Sequence, residues 1–271
     1  MTVVVPWQTP LKVQPSEVIG SNIWCYGTFD LAVTEAICRV LDPGETALDI
    51  GANIGLMTSL MCCCVGQDGR VMAFEPHPQL FNELQHNVAN LRHPPQTIPE
   101  LHNLALSDTS GEAVLDVGAG WSENRGLSRL AEEAKVTDAN AVRVRRGRLD
   151  DLLPIETVSR PIVIKIDVEG HELKVFQGAR RLLESHRVRD IIFEEIAPYP
   201  SPVHLALQNL GYRIYALHTR VLRPCLQEAC SATRFDCARE GQNYLATLEP
   251  ERVLQRFSSW GWRSLKAQRF S

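Results

Sequence analysis

The sequence predicts an α/β fold, a largely parallel sheet with helices on both faces. Three observations predict it. Short β-like runs alternate with amphipathic helical runs along most of the chain. One of them, PIVIKIDV at 161–168, is almost continuously apolar, as a strand buried on both faces must be. The first strand runs into a glycine-containing turn that opens a helix, in ALDIGANIGLMTSL at 47–60.

The elements follow in order. Residues 1–45 precede the first strand as an N-terminal helical strap or lid, with a helix expected at 29–41. TALDI (46–50) is a strand, 55–65 a helix, and RVMAFE (70–75) a second strand. The next helix, 78–91, places Leu80, Leu84, Val88 and Leu91 on one face. RHPPQTIP (92–99) connects it to a third strand, LHNLAL (101–106). Residues 109–149 then interrupt the alternation: GEAVLDVG and AVRVRRGRL read as an inserted β-hairpin around a polar loop. After the strand at 161–168 comes a helix at 172–185, striped by Leu173, Phe176, Ala179 and Leu183. DIIFEEI (190–196) is a strand and 202–210 a helix. YRIYAL (212–217) and NYLATL (243–248) close the sheet across a Cys-rich loop, 218–242. The expected organisation is one domain: core 46–217, insertion 109–149, and a C-terminal part 218–271.

Composition narrows the function. The chain has 271 residues, 44% of them apolar, enough for one sizeable core. A formal net charge of −4 gives no case for nucleic acid or a membrane surface as a general partner. The basic run Arg143, Arg145, Arg146 and Arg148 reads as the wet face of a strand. MTVVVPWQTP shows no basic leader, and no apolar stretch approaches the roughly 20 residues of a membrane helix. The expectation is a cytoplasmic protein with reduced thiols. Cys62–Cys64 read as small core residues. Cys225, Cys230 and Cys237, downstream of His218, miss the short spacings of a zinc knuckle.

The glycine loop is the first chemical signal. Glycines let backbone approach a ligand, and a helix N-terminus favours an anionic end. A dinucleotide loop would read G-x-G-x-x-G. Here Asn53 stands at the middle glycine, and Gly55 arrives one residue early. That argues against a nicotinamide-dependent oxidoreductase, the alternative of another class, and for a smaller ligand with an amino-acid end. Glu75 ends the second strand 20 residues after Gly55, where a carboxylate can accept from both ribose hydroxyls of a nucleoside.

LDIGANIG, AFEPHP, NLALSD and IKIDVEGHE, in this order over 45–196, resemble the FkbM family of S-adenosylmethionine-dependent methyltransferases. The resemblance implies a Rossmann-like, seven-stranded class I methyltransferase sheet with an antiparallel last strand. It also implies S-adenosyl-L-methionine as cofactor. Asp49, Gly51, Asn53 and Gly55 would hold its methionine end, and Glu75 with Pro76 its ribose. Asn103, Ala105 and Leu106 would lie beside the adenine.

A hydroxyl or amide acceptor needs a proton removed, and a positioned base is typically worth about 10²–10⁴-fold. His171, at the turn into the helix after 161–168, is the candidate base, with Asp167, Glu169 and Glu195 around it. Asp167, Glu169 and Glu195 are also the candidate ligands for Mg²⁺ or Mn²⁺, as Lewis acid. Lys165, inside the strand, needs an anionic partner in Asp167, Glu194 or Glu195. Glu172 suits the dipole of its helix. Trp121, Asn124 and Arg125 of the insertion, or Trp24, Tyr26 and Phe29 of the strap, would wall the acceptor. The acceptor is expected to be a small molecule or peptide. O-methylation of a sugar or polyketide hydroxyl is the first choice, and N-methylation of a peptide amide the alternative. Oligomeric state is not legible in the sequence.

Overall fold

The computed structural model describes residues 1–89, 91, 97–131, 140–221, 223–230 and 242–266. The strap begins with a hairpin, β1 (Thr2–Val4) and β2 (Pro10–Lys12), too short to show a period in sequence. Helix α1 (Val18–Tyr26) follows, capped by the Glu17 carboxylate, which accepts from the N–H groups of Ile19 and Gly20. Helix α2 (Leu31–Val40) is capped by Asp30. Then come β3 (Thr46–Ile50), α3 (Leu56–Val65), β4 (Arg70–Phe74), α4 (Pro78–Val88) and β5 (Glu100–His102).

A short strand, β6 (Ala105–Leu106), leads into the insertion, which supplies β7 (Gly111–Asp116), β8 (Arg129–Ala131) and β9 (Ala141–Gly147). The chain continues through α5 (Leu149–Leu152), β10 (Ile162–Ile166), α6 (Glu172–Gly178), α7 (Arg180–Glu184), β11 (Val188–Glu195) and α8 (Pro202–Asn209). It ends with β12 (Arg213–Arg220), β13 (Arg223–Glu228), β14 (Gln242–Thr247) and α9 (Pro250–Ser258).

The main sheet has eight strands in the order β13-β12-β14-β11-β10-β3-β4-β5. Five of these, from β11 to β5, run parallel, and β14 runs antiparallel between β11 and β12. The antiparallel strand lies where the resemblance placed it. The eighth strand was not foreseen: β13 pairs with β12 as an edge hairpin, so the first part of the expected Cys-rich loop is strand. Cys237 lies outside the described residues, as do residues 92–96 of the proline-rich connection.

Two further expectations are corrected. The third strand, read as 101–106, is broken at Asn103 and Leu104. Its first half joins the main sheet, and its second half pairs with β9 in a separate four-stranded sheet, order β6-β9-β7-β8. The helix read as 172–185 is two, α6 and α7, hinged at Ala179. Just before that hinge Gly178 lies against the Ser107 carbonyl; a Cβ there would stand 1.9 Å from that oxygen.

Strand alternation sends side chains to two cores. On one face Ala47, Val163 and Ile192 pack against α2, α3 and the strap; on the other Leu48, Ile164, Phe193 and Tyr244 pack against α6, α7 and α8. Cys62, Cys63 and Cys64 are buried in α3, as expected. Burial pushes the Cys63 thiol up to about 12, so it packs as an inert hydrophobe. Fully buried Arg39 ties α2 to the C-terminal segment, donating to Glu35 Oε1 at 2.6 Å, Ser259 Oγ at 2.8 Å and the Gly261 carbonyl at 2.8 Å. That fixes the helix whose cap, Asp30, faces the site.

Candidate active site

A cavity of about 630 Å³ lies beyond the carboxyl ends of β3, β4, β10 and β11, where parallel α/β sheets bind ligands. Its floor at one end is the glycine loop. Gly51, Asn53 and Gly55 have φ of 77°, 49° and 91°, all left-handed. Glycine and asparagine are the residues that adopt this region most readily, which explains the alternation G-x-N-x-G. Gly51 must also be small: a Cβ would lie 2.0 Å from the Asp167 carbonyl oxygen.

Glu75 lines the same end, buried. Its Oε2 accepts from Asn53 N–H at 2.9 Å and its Oε1 from His77 N–H at 2.8 Å. These bonds lock the carboxylate to the loop, but burial outweighs them and pushes its pKa up to about 7. Pro76, Ala105 and Leu106 complete this wall.

Three residues expected at the cofactor, Asp49, Gly55 and Asn103, are not among those lining the cavity. Asp49 is fully buried beneath the loop, accepting from Thr58 Oγ1 at 2.5 Å, with Lys165 Nζ 3.5 Å away. Lys165 in turn donates to the Gly51 carbonyl at 2.9 Å, so Asp49 and Lys165 brace the loop from below. Gly55 packs on α4, where a Cβ would meet Leu84 Cδ1 at 2.7 Å. Exposed Asn103 donates to the carbonyls of Glu75 and Pro76, both at 2.9 Å, and so ties β5 to β4.

The other end of the cavity is acidic. Asp30, Asp167, Glu169 and Glu194 line it, and His171 lines the same cavity beside the Ser107 segment. Asp167, Glu169 and Glu194 each bring an oxygen within 4.8 Å of one another, the one such cluster among the described residues. Glu195, the sequence choice, points the other way. It accepts from Ser201 Oγ at 2.6 Å and Ala197 N–H at 2.8 Å, because neighbouring residues of β11 face opposite sides. Burial raises Glu169 to about 8, with Asp167 and Glu194 adding repulsion, and raises Glu194 to about 7. Glu169 also sits at φ 54°, a left-handed conformation worth about 1–2 kcal/mol of strain. Lys165 Nζ lies 3.7 Å from Asp167 Oδ2, as expected of a buried lysine. Glu172 is more than a dipole partner: its Oε1 accepts from the N–H groups of Val168 and Gly170, shaping the turn that presents Glu169.

His171 heads α6 with its Nε2 2.9 Å from Ser107 Oγ. Desolvation lowers its pKa; Asp108 opposes this, and Lys174 and Arg146 add to it. The ring is therefore neutral near pH 7, the state a base requires.

The roof comes from the insertion and the strap. Asn124 to Ser128, Leu130, Val18, Ile19 and Phe29 line the cavity. Arg125, almost wholly buried, donates to Glu83 Oε1 at 2.6 Å and Oε2 at 3.1 Å and lies 3.6 Å from Glu17 Oε1. It latches the insertion onto α4 and α1. Trp121 stacks on His77 with ring centroids 4.6 Å apart; Trp24 and Tyr26 are exposed, away from the cavity. The sequence reading missed Asp30, Glu194 as a site residue, and Leu127, Ser128 and Leu130. A period-2 count along FEE puts Glu194 and Glu195 on opposite faces but does not say which face meets the cavity, because β11 is buried on both; the others carry no local signal.

The family model described as "Methyltransferase FkbM domain" matches residues 49–214, more than half of the chain. The chain belongs to the FkbM methyltransferase family. Among curated relatives of this FkbM-family chain is the hexuronic acid methyltransferase AglP of Haloferax volcanii, 30% identical over 160 residues, which are 58% of this chain and 60% of that protein. Another is methyltransferase sdnD of Sordaria araneosa, 29% identical, covering 62% of this chain and 73% of that one. The match thus spans less than two thirds of AglP. Among solved structures, a precorrin-6y C5,15-methyltransferase from Geobacter metallireducens GS-15 aligns over 87% of this chain and 92% of that one, at 14% identity and TM-score 0.44. A score at that level adds nothing to the fold, which rests on the strand order itself. No helix among the described residues is long and apolar enough to cross a membrane.

Proposed function

We propose that this chain is an S-adenosylmethionine-dependent methyltransferase acting on a hydroxyl of a small, neutral, hydroxyl-rich acceptor such as a sugar or polyketide. One observation carries the reading. A single cavity is lined by the left-handed glycine loop, Glu75, His171 and the carboxylates Asp30, Asp167, Glu169 and Glu194. The loop end fits the cofactor. Gly51, Ala52 and Asn53 line the cavity with left-handed backbone at Gly51 and Asn53, and Glu75 offers a buried carboxylate where ribose hydroxyls would lie. The carboxylates suit its positively charged sulfonium, and the cofactor supplies an electrophilic methyl group.

The chain's own residues supply the rest. The insertion and strap exclude water, and the carboxylates orient the acceptor hydroxyl. His171 would take the hydroxyl proton while the acceptor oxygen replaces the sulfonium sulfur on the methyl carbon, the C–S bond breaking and S-adenosylhomocysteine being the leaving group. Alignment of this kind is worth roughly 7–11 kcal/mol. The acidic end favours a neutral acceptor: its one lysine, Lys165, already serves Asp49 and Asp167. FkbM membership gives the nicotinamide alternative no support.

Mg²⁺ or Mn²⁺ held by Asp167, Glu169 and Glu194 is a second reading, favoured by their spacing. The test is calorimetric titration of metal-stripped protein with S-adenosylhomocysteine and with NAD⁺, repeated with Mg²⁺, followed by an acceptor screen with labelled cofactor. Micromolar S-adenosylhomocysteine binding with none for NAD⁺ is expected. Binding of NAD⁺ alone would overturn the reading.

A further inference from the structure

Ser107, between β6 and the insertion, holds the candidate base. Its Oγ lies 2.9 Å from His171 Nε2 and 3.1 Å from Asp108 Oδ1. Lys174 Nζ donates to the other oxygen, Asp108 Oδ2, at 2.8 Å. A serine hydroxyl carries one hydrogen. It donates to the carboxylate, the stronger acceptor. Its lone pairs then face His171, so the ring nitrogen at 2.9 Å must be the protonated one. Nε2 then holds the hydrogen and Nδ1 keeps its lone pair, on a ring that lines the cavity. That is the tautomer a base needs.

Two features fix the arrangement. Ser107 is buried, and its N–H donates to the Gly147 carbonyl at 2.9 Å. Gly178, with no side chain, lets α6 close onto the Ser107 carbonyl, as the 1.9 Å clash of any Cβ shows. The segment carrying Ser107 is thereby clamped to the helix that begins with His171.

We infer that Ser107 is a positioning residue: with Asp108 and Lys174 it sets the His171 tautomer, leaving Nδ1 as the nitrogen that accepts the proton. The inference deepens the reading of His171 as base and rests on it for its catalytic meaning. The tautomer itself is measurable without any acceptor.

The experiment is ¹⁵N NMR of histidine-labelled full-length protein saturated with S-adenosylhomocysteine, with the His171 ring signals assigned by their loss in His171→Asn. Wild type should show Nε2 protonated and Nδ1 bare. Ser107→Ala should give a mixture of tautomers with S-adenosylhomocysteine affinity within threefold, and Ser107→Thr should restore the single form. Asp108→Ala, which frees the serine hydrogen to turn toward the ring, should move the population toward Nδ1–H; it covers the case in which Ser107→Ala does not fold. A His171 ring unchanged in both Ser107→Ala and Asp108→Ala would overturn the proposal, as would a wild-type ring protonated at Nδ1. The base reading fails separately, if His171→Asn keeps wild-type turnover with an acceptor found in the screen.

Discussion

The two ends of the cavity are built on opposite plans. The glycine-loop end is built mainly from one stretch of chain, 49–76, and is braced by hydrogen bonds of its own: Glu75 accepts from two backbone N–H groups, Asp49 accepts from Thr58, and Lys165 of β10 donates to the Gly51 carbonyl from beneath. The carboxylate end gathers Asp30, Asp167, Glu169 and Glu194 from three separate segments, and burial raises the pKa of Asp30, Glu169 and Glu194. One end is stabilised by its own loop. The other is held in place by the fold around it and carries charge in excess, as a site awaiting a cationic or hydrogen-bonding guest does.

Glycine substitutions should separate the ends most sharply. Gly51→Ala, with its Cβ 2.0 Å from the Asp167 carbonyl, should destabilise the protein by about 2–4 kcal/mol and abolish S-adenosylhomocysteine binding. Gly170→Ala has positive φ but open space, so it should cost only about 1 kcal/mol and leave that binding within threefold. Thermal denaturation and calorimetry compare the two; equal losses would break the contrast.

Carboxylate-to-amide changes come next. Glu75→Gln should weaken S-adenosylhomocysteine by about 10–100-fold, since one oxygen that accepts becomes a donor. Glu194→Gln should leave that affinity within threefold and lower kcat by about 10²-fold. A chelator, on the metal-free reading, should leave kcat within twofold; loss restored by Mg²⁺ or Mn²⁺ would make the Asp167, Glu169 and Glu194 trio a metal centre.

The pH response is smaller and sharpens the electrostatics. Glu75 and Glu194 are raised from 4.5 to about 7 and Glu169 from 4.5 to about 8. Each binds its proton more tightly folded than unfolded. The penalty for ionising them is absent below about pH 4.5, grows through neutrality and is complete above about pH 8. The ligand-free Tm should therefore fall as pH rises from 6 to 9, with a shallower slope in Glu169→Gln. The cationic cofactor should gain affinity over neutral S-adenosylhomocysteine across the same range, and calorimetry in buffers of different ionisation enthalpy should show proton release on binding near pH 7.

The sequence was most legible where function is local. TALDI became β3 at the expected bounds, and the left-handed positions of Gly51, Asn53 and Gly55 are written in residue type. LHNLAL was misread because a run of apolar residues does not show that the strand breaks at Asn103, whose side chain donates to the carbonyls of Glu75 and Pro76 just beyond β4, and that its halves join two different sheets. Glu195 was preferred to Glu194 because adjacent identical residues differ only in the face they take, and Asp30 lay hidden in a helix cap.

By itself the sequence determined the α/β alternation, the glycine loop, Glu75 as its carboxylate and His171 at the head of its helix, since each depends on neighbours a few residues away. Tertiary structure alone decided that Asp49 and Lys165 brace the loop from beneath, that Glu194 enters the cavity and Glu195 leaves it, and that Ser107 meets His171 across 64 residues of chain. Those outcomes depend on strand register and on the packing of α6 against the insertion. Both arise from contacts between segments far apart in sequence, which no local pattern records.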